Sequence, residues 1–228
     1  MNPIMPTIDL HTHTRFFHGF NSRPTPYDPV GIRLLVRMAR ARGLDAIAVT
    51  NHDYYAPFDV DAGELTIIPG IEISTTIGHL LVVGPDPPTM TMPRTMSPSE
   101  AVALAHDRDC AAIVAHPYRH STVVGSDAPF DAIEVNGKRS STVDRLHALA
   151  EECNRPLVGG SDAHYPFEVG RTYTELETSE VTPTGVVDAI RDGRVDYEID
   201  ERHPSQFLRY GYRLIHRLKG HTTPQDPA

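Results

Sequence analysis

The stretch Gly159-Gly160-Ser161-Asp162-Ala163-His164 follows the apolar run Pro156-Leu157-Val158 and sets a carboxylate and an imidazole two residues apart. Residues two apart along an extended chain point to the same side, so Asp162 and His164 can face one point. A second stretch, Asp9-Leu10-His11-Thr12-His13, repeats the alternation near the other end of the chain. Taken in order, the ends of short apolar runs carry His11 and His13, His18, His52, Glu72, His79, His116, and Asp162 with His164. A mononuclear zinc site needs three or four ligands. Seven imidazoles and two carboxylates predict more than one ion, with a carboxylate such as Glu72 shared between two. Imidazole with carboxylate suits zinc, manganese, iron or nickel better than magnesium or calcium. A lone histidine at a strand end is commonly a hydrogen-bonding residue, so the prediction rests on the recurrence at successive exits. His106, His147, His203, His216 and His221 fall in helical patterns or the tail and are set aside; His120 follows Tyr118-Arg119 and is a candidate for touching substrate.

Elements that would position these groups alternate along the chain. Strands are predicted at 7–13, 46–50, 71–74 (led into by 65–68 through Pro69-Gly70), 78–84, 111–115, 132–135, 157–158, 172–176 and 195–199. Helices are predicted at 30–42, 99–109, 142–153, 182–193 and 205–218. The first helix shows apolar residues at Ile32, Leu35, Val36 and Ala39, a helical period, between an expected Asp28 N-cap with Pro29 behind it and Gly43 as its stop. The Pro-, Met- and Thr-rich segment 85–98 reads as a surface loop packed on the barrel. Alternating strands and helices favour a mainly parallel α/β sheet or barrel, with polar residues gathered after the strands, where such folds build sites. Connections at 53–64 and 75–78 are too short or irregular for helices, so a distorted barrel is expected. It would occupy 1–204, followed by a C-terminal helix and disordered tail at 205–228.

Composition bounds the function. With 228 residues the chain can form one substantial core. A net charge of −9 argues against an extended nucleic-acid surface while leaving room for a small phosphorylated substrate at a locally positive site. Thirteen histidines are the compositional anomaly. Cys110 and Cys153, the only two cysteines, suggest no disulfide framework and a reduced, cytoplasmic protein. No apolar run reaches membrane-spanning length, and the opening residues lack a signal-peptide pattern. In the terminal helix Phe207, Leu208, Gly211, Leu214, Ile215 and Leu218 form an apolar stripe beside Arg209, Arg213 and Arg217; we expect it docked on the barrel rather than on a membrane or nucleic acid. Oligomeric state is left open.

Asp9-Leu10-His11-Thr12-His13-Thr14, Thr50-Asn51-His52-Asp53, Gly70-Ile71-Glu72-Ile73-Ser74, His116-Pro117-Tyr118-Arg119 and Gly160-Ser161-Asp162-Ala163-His164, in this order, resemble the polymerase and histidinol phosphatase (PHP) superfamily. The likeness continues through Val169-Gly170-Arg171-Thr172-Tyr173-Thr174. The resemblance implies a distorted (β/α)7 barrel with two or three divalent transition-metal ions, zinc, manganese or iron, and phosphoester hydrolysis by a metal-activated water. It implies His11, His13, Glu72 and Asp162 on a first ion, His18, His52 and His164 on a second, and Glu72, His79 and His116 on a third. Asn51 departs from the Asp that the family often has there, and Asp53 is the candidate to orient His52 in its place.

Two function classes follow. One is a metal-dependent phosphatase or phosphodiesterase acting on a small phosphorylated compound such as a nucleotide or histidinol phosphate. The other is a non-catalytic metal module with a structural or partner-recruiting role. No Ser-His-Asp or Cys-centred arrangement competes with the metals. Arg119 is the candidate for a non-bridging phosphate oxygen, with Arg15, Lys138 and Arg171 as weaker candidates. Glu134 sits before the Asn136-Gly137 exit with its role open.

Overall fold

The computed structural model describes residues 5–15, 24–119, 121–136, 142–178 and 180–200. His18, His120, Lys138 and the expected C-terminal helix lie outside them.

β1 (Thr7–Thr12), β2 (Ala46–Val49) and the first half of β3 (Thr66–Thr75) pair in parallel, with Ile8 opposite Ala46 and Ala46 opposite Thr66. β3 runs unbroken through Pro69-Gly70, so most of the run expected only to lead into the strand is part of it. Its second half turns back into β4 (Gly78–Val83), antiparallel, with Ser74 opposite His79. β4 is antiparallel also to β5 (Ala111–Val114). Parallel pairing then resumes through β6 (Ala132–Asn136) to β7 (Leu157–Gly160). β8 (Thr172–Leu176) lies antiparallel on β1, and β9 (Val195–Ile199) on β8, giving the order β7-β6-β5-β4-β3-β2-β1-β8-β9. The sheet is therefore as much antiparallel as parallel. The 75–78 turn is too short for a crossover helix, so β4 must reverse.

β7 closes the barrel onto β1. Ala163 N–H donates to His11 O at 3.2 Å and His13 N–H to Ala163 O at 2.9 Å. Asp9, buried, fastens the seam: its carboxylate accepts Ser161 N–H at 2.9 Å, Ser161 Oγ–H at 2.5 Å and Gly170 N–H at 2.8 Å.

α1 (Asp28–Arg42) packs Ile32, Leu35, Val36 and Ala39 with Ile47 and Val49. Gly43 ends it at φ 75°, the left-handed position that glycine adopts without a Cβ penalty. Asp28 is not its cap. The residue lies inside the first turn, and its carboxylate accepts Thr14 Oγ1–H at 2.9 Å and Thr25 N–H at 2.7 Å, which leaves the helix end uncapped by a side chain at Tyr27. α2 (Pro98–His106), by contrast, starts with a full capping box between Ser97 and Glu100. α2 and α3 (Val143–Cys153) cover the outer faces of β3 to β7, burying Val102, Leu146, Ile73, Val114 and Ile133 in one cluster.

The barrel interior is divided along its axis. Its apolar layer combines Ile8, Leu10, Ile68, Leu81, Ile113 and Val158 with the small Ala46, Ala48, Ala111 and Ala132. α4 (Pro183–Arg191) adds Val186, Val187, Ala189 and Ile190 to that cluster. Seven strands enclose less space than eight, which explains the alanines. Pairing of β1 with β2 shifts register between Asp9 and Thr12. Such a bulge adds a residue to one strand, so Ile8 and Leu10 join the apolar layer while His11 and His13 also reach the barrel mouth.

Candidate metal centre

Each polar end is fixed by the ladder that precedes it. Glu72 N–H donates to Asn51 O at 3.0 Å and Asp53 N–H to Glu72 O at 2.9 Å, seating His52 beside Glu72. His79 was expected at a strand exit; it stands at the entry of β4, and because β4 is reversed that entry shares the rim with the exits of its neighbours. Three residues of the rim, Asp53, His116 and Asp162, hold left-handed backbone at φ 57°, 30° and 50°. That conformation is uncommon for non-glycine residues and concentrates at functional sites.

Glu72 is the hub and is fully buried. Its Oε2 lies 3.2 Å from His11 Nε2, 3.3 Å from His13 Nε2 and 3.0 Å from His52 Nδ1. Its Oε1 lies 2.8 Å from His79 Nδ1 and 3.1 Å from His116 Nε2. Asp162 Oδ1 closes the near side at 3.6 Å from His11 Nε2, 3.4 Å from His13 Nε2 and 3.0 Å from His164 Nδ1. Among the described residues four groups of ligand atoms gather within 4.8 Å: His13, His52 and His164; His11, His13 and Asp162; His11, Glu72 and His116; His52, Glu72 and His79. The donor set fits divalent ions. His11 and His13 bring their Nε2 atoms to 3.1 Å of each other, two lone-pair positions that need a cation or a proton between them.

Electrostatics divides the imidazoles. Burial opposes charge on His11, yet Glu134 and Glu72 outweigh it and hold the ring well above its ordinary value. His79 is raised in the same way against burial, by Glu72. Burial, with His164 adding to it, lowers His13 to about 3; burial, with His13 and His79 adding to it, lowers His52 to about 4. Burial would raise Glu72, but His52, His11 and His79 hold it well below the usual carboxylate range.

Glu134 orients the hub. Its Oε1 takes His11 Nδ1 at 2.7 Å and its Oε2 accepts His116 N–H at 2.6 Å. This fixes the His11 tautomer with Nε2 toward Glu72. Gly160 makes the contact possible: a Cβ there would run into Glu134 Oε1 and come within 2.7 Å of His11 Cβ. Glu168 does similar service for His164, accepting its N–H at 2.8 Å and that of Tyr165 at 3.1 Å.

A cavity of about 580 Å³ opens over this cluster, lined by His52, His79, His116, Asp162, His164, Arg119 and Arg94 among others. Arg119 reaches Asp162 Oδ2 at 2.8 Å and is half exposed. Asp53 does not orient His52. Its carboxylate accepts Ser74 N–H at 2.9 Å, Ser74 Oγ–H at 2.6 Å and Thr91 Oγ1–H at 2.9 Å, because its left-handed backbone turns it toward the end of β3. Asn51 Oδ1 accepts Thr14 N–H at 3.0 Å and lies 3.1 Å from Thr14 Oγ1. Arg15 stacks on Tyr54, 4.6 Å from the ring centroid, beside Asp28. His106 pairs with Asp131 and His147 with Tyr197.

Residues 144–195 match the family described as PHP-associated, a span running from α3 past Asp162 and His164 to the start of β9. Among solved structures, PsfC from Pseudomonas syringae PB-5123 superposes with a TM-score of 0.73 at 19% identity, over 92% of this chain and 98% of that one. A two-domain protein from Bacteroides vulgatus containing a predicted PHP-like metal-dependent phosphoesterase gives 0.60 at 21%, over 92% and 69%. The lesion-specific endonuclease EndoQ from Pyrococcus furiosus gives 0.56 at 17%, over 82% and 56%. No curated protein sequence matches the chain. The likeness to these structures is one of fold, a distorted α/β barrel.

Compared with the PHP ligand sets that the resemblance implies, the first is gathered as His11, His13 and Asp162, with Glu72 in reach of both imidazoles. His52 and His164 gather with His13, while His18 lies outside the described residues. His79 and His116 share Glu72 Oε1 but group with His52 and His11 respectively. Sequence reasoning passed over Glu168 and Arg94. The i to i+4 spacing from His164 to Glu168, across Pro166, was a signal for the first; nothing in the sequence marked Arg94. Among the described residues no helix is long and apolar enough to cross a membrane, and Cys110 and Cys153 are free thiols.

Proposed function

We propose that the chain is a metal-dependent phosphoesterase acting on a small phosphorylated compound. His11, His13, Glu72 and Asp162 would hold one ion. His52 and His164 would hold a second, with His18 completing it as the PHP resemblance implies, and Glu72, His79 and His116 a third. Zinc, manganese and iron suit this donor set. The observation that carries the reading is Glu72, one buried carboxylate whose two oxygens face different histidines, as a bridging ligand requires.

Bound divalent ions acidify a coordinated water and neutralise phosphoryl oxygens. The chain's own residues prepare the rest. Glu134 keeps His11 Nε2 free of a proton when a cation is present, and Glu168 fixes the backbone of His164. Arg119, at the cavity wall, offers a guanidinium suited to a non-bridging phosphate oxygen; its contact with Asp162 holds it at the metal side. The cavity size suits a small molecule, and the chain's net charge of −9 does not favour an extended nucleic-acid strand.

The test is turnover of p-nitrophenyl phosphate and bis-p-nitrophenyl phosphate by protein loaded with zinc, manganese or iron. Hydrolysis of either that is abolished by chelation and restored by metal is the expected result. Protein that binds more than one metal equivalent and hydrolyses neither ester nor any member of a phosphorylated-metabolite panel would overturn it in favour of a non-catalytic metal module.

A further inference from the structure

Arg94 lines the same cavity as Arg119 and the histidines, yet no role in the metal centre absorbs it. Its backbone is left-handed, φ 59°, an uncommon conformation for a residue with a Cβ. The conformation is held in place: Arg94 N–H donates to Ser74 O at 2.7 Å. Ser74 is in turn gripped at its N–H and Oγ by the Asp53 carboxylate, which also takes Thr91 Oγ1. Thr91 N–H donates back to Asp53 O at 3.0 Å. Asp53 thus fastens both the strand end and the loop from which Arg94 projects, one residue from His52. Among the described residues no ion pair or side-chain hydrogen bond engages the Arg94 guanidinium, whereas Arg119 is held by Asp162.

We infer that Arg94 reads a second anionic group of the substrate, so that the compound carries the hydrolysed phosphoryl ester and, elsewhere, a further phosphate or carboxylate. This rests on the phosphoesterase reading. One phosphoryl group is accounted for by the metal cluster and Arg119. A second guanidinium on the wall of that cavity, in a protein whose surface is acidic overall, is then available for another anion. A planar five-donor fork matches either phosphate or carboxylate. Asp53 acts as a positioning residue for it.

Calorimetric titration of metal-loaded, full-length protein tests the inference with two probe pairs: fructose 1,6-bisphosphate against fructose 6-phosphate, and 3-phosphoglycerate against glycerol 3-phosphate. In at least one pair the doubly anionic probe should bind about tenfold more tightly, the range of a charge-assisted hydrogen bond. Arg94→Ala should cut that preference to about threefold or less, and Arg94→Lys should retain part of it, with metal content equal to wild type in both. Absence of preference in both pairs, or a preference that survives Arg94→Ala, overturns the inference. Arg94-dependent preference without turnover of any ester would sustain it and overturn the hydrolase reading; turnover of aryl phosphates without preference would do the reverse.

Discussion

Replacing Glu134 by glutamine keeps shape but removes one acceptor and the charge facing His11. Both carboxylate oxygens are in use, Oε1 with His11 Nδ1 at 2.7 Å and Oε2 with His116 N–H at 2.6 Å. An amide has one oxygen for these two positions. If the oxygen stays on His116 N–H, the NH2 faces His11 Nδ1 and favours the tautomer with its proton on Nε2, where a cation would bind. If the oxygen stays on His11, two donors confront each other at His116, at a cost of about 1–3 kcal/mol. Losing the orienting partner of a metal-binding histidine typically weakens metal affinity about 10- to 100-fold, or about 1.4–2.7 kcal/mol. Competition against a metal-buffering chelator measures that change, and elemental analysis the stoichiometry. Thermal unfolding of chelated protein checks folding, with a fall of about 2–4 °C for each kcal/mol lost in a domain of this size. Glu134→Gln protein with wild-type metal affinity would refute the claim that Glu134 sets the tautomer of His11.

Glu72→Gln should lower metal stoichiometry by at least one equivalent and abolish esterase activity, since its oxygens serve both sides of the cluster; a full metal complement by elemental analysis contradicts the bridging role. Metal loading should release protons, because nearby carboxylates favour the charged form of His11 and His79 in the metal-free protein while burial lowers His13 and His52 to about 3 and 4. Affinity should therefore rise with pH as His11 and His79 titrate, and identical binding heats in buffers of different ionisation enthalpy would contradict this. Arg119→Ala should lower kcat/KM about 10- to 100-fold at unchanged metal stoichiometry; loss of metal instead would make its bond to Asp162 its main function.

The centre was legible because period-two spacing and strand-end position survive any detail of packing. His11 with His13 and Asp162 with His164 face one point, as alternation requires. The architecture was legible in kind and less so in direction. The turn at 75–78 was visibly too short for a helix and so forces the reversal of β4, but the seat of reversed β4 against β5 is a long-range pairing that local sequence does not encode. Asp53 follows a ligand histidine and looked like its partner; its positive φ sends the carboxylate to Ser74 and Thr91 instead. Asp28 before Pro29 has the signature of a cap, yet two donors from outside the helix, Thr14 Oγ1–H and Thr25 N–H, claim its oxygens first. Glu134 lies in an apolar strand and its role was open from sequence, because its partner is 123 residues away and only barrel closure brings the two together.

Closure also determines what the polar layer requires. Glu72, Glu134 and Asp162 are all buried, and buried carboxylates are costly unless matched by positive charge and hydrogen bonds. The carboxylates favour a proton on the two imidazoles nearest them, His11 and His79, both raised, while burial lowers His13 and His52. The raised pair divides between the two oxygens of Glu72, His11 at Oε2 and His79 at Oε1. The two places where the metal-free protein favours a proton are thus the same two sides of Glu72 that a bridged pair of cations would occupy. A cation that displaces such a proton keeps the carboxylates matched and adds bonds to the neutral imidazoles, which a single proton cannot reach at once. That difference, arising from the geometry around one glutamate, would give the barrel mouth its preference for divalent ions over protons as the pH rises.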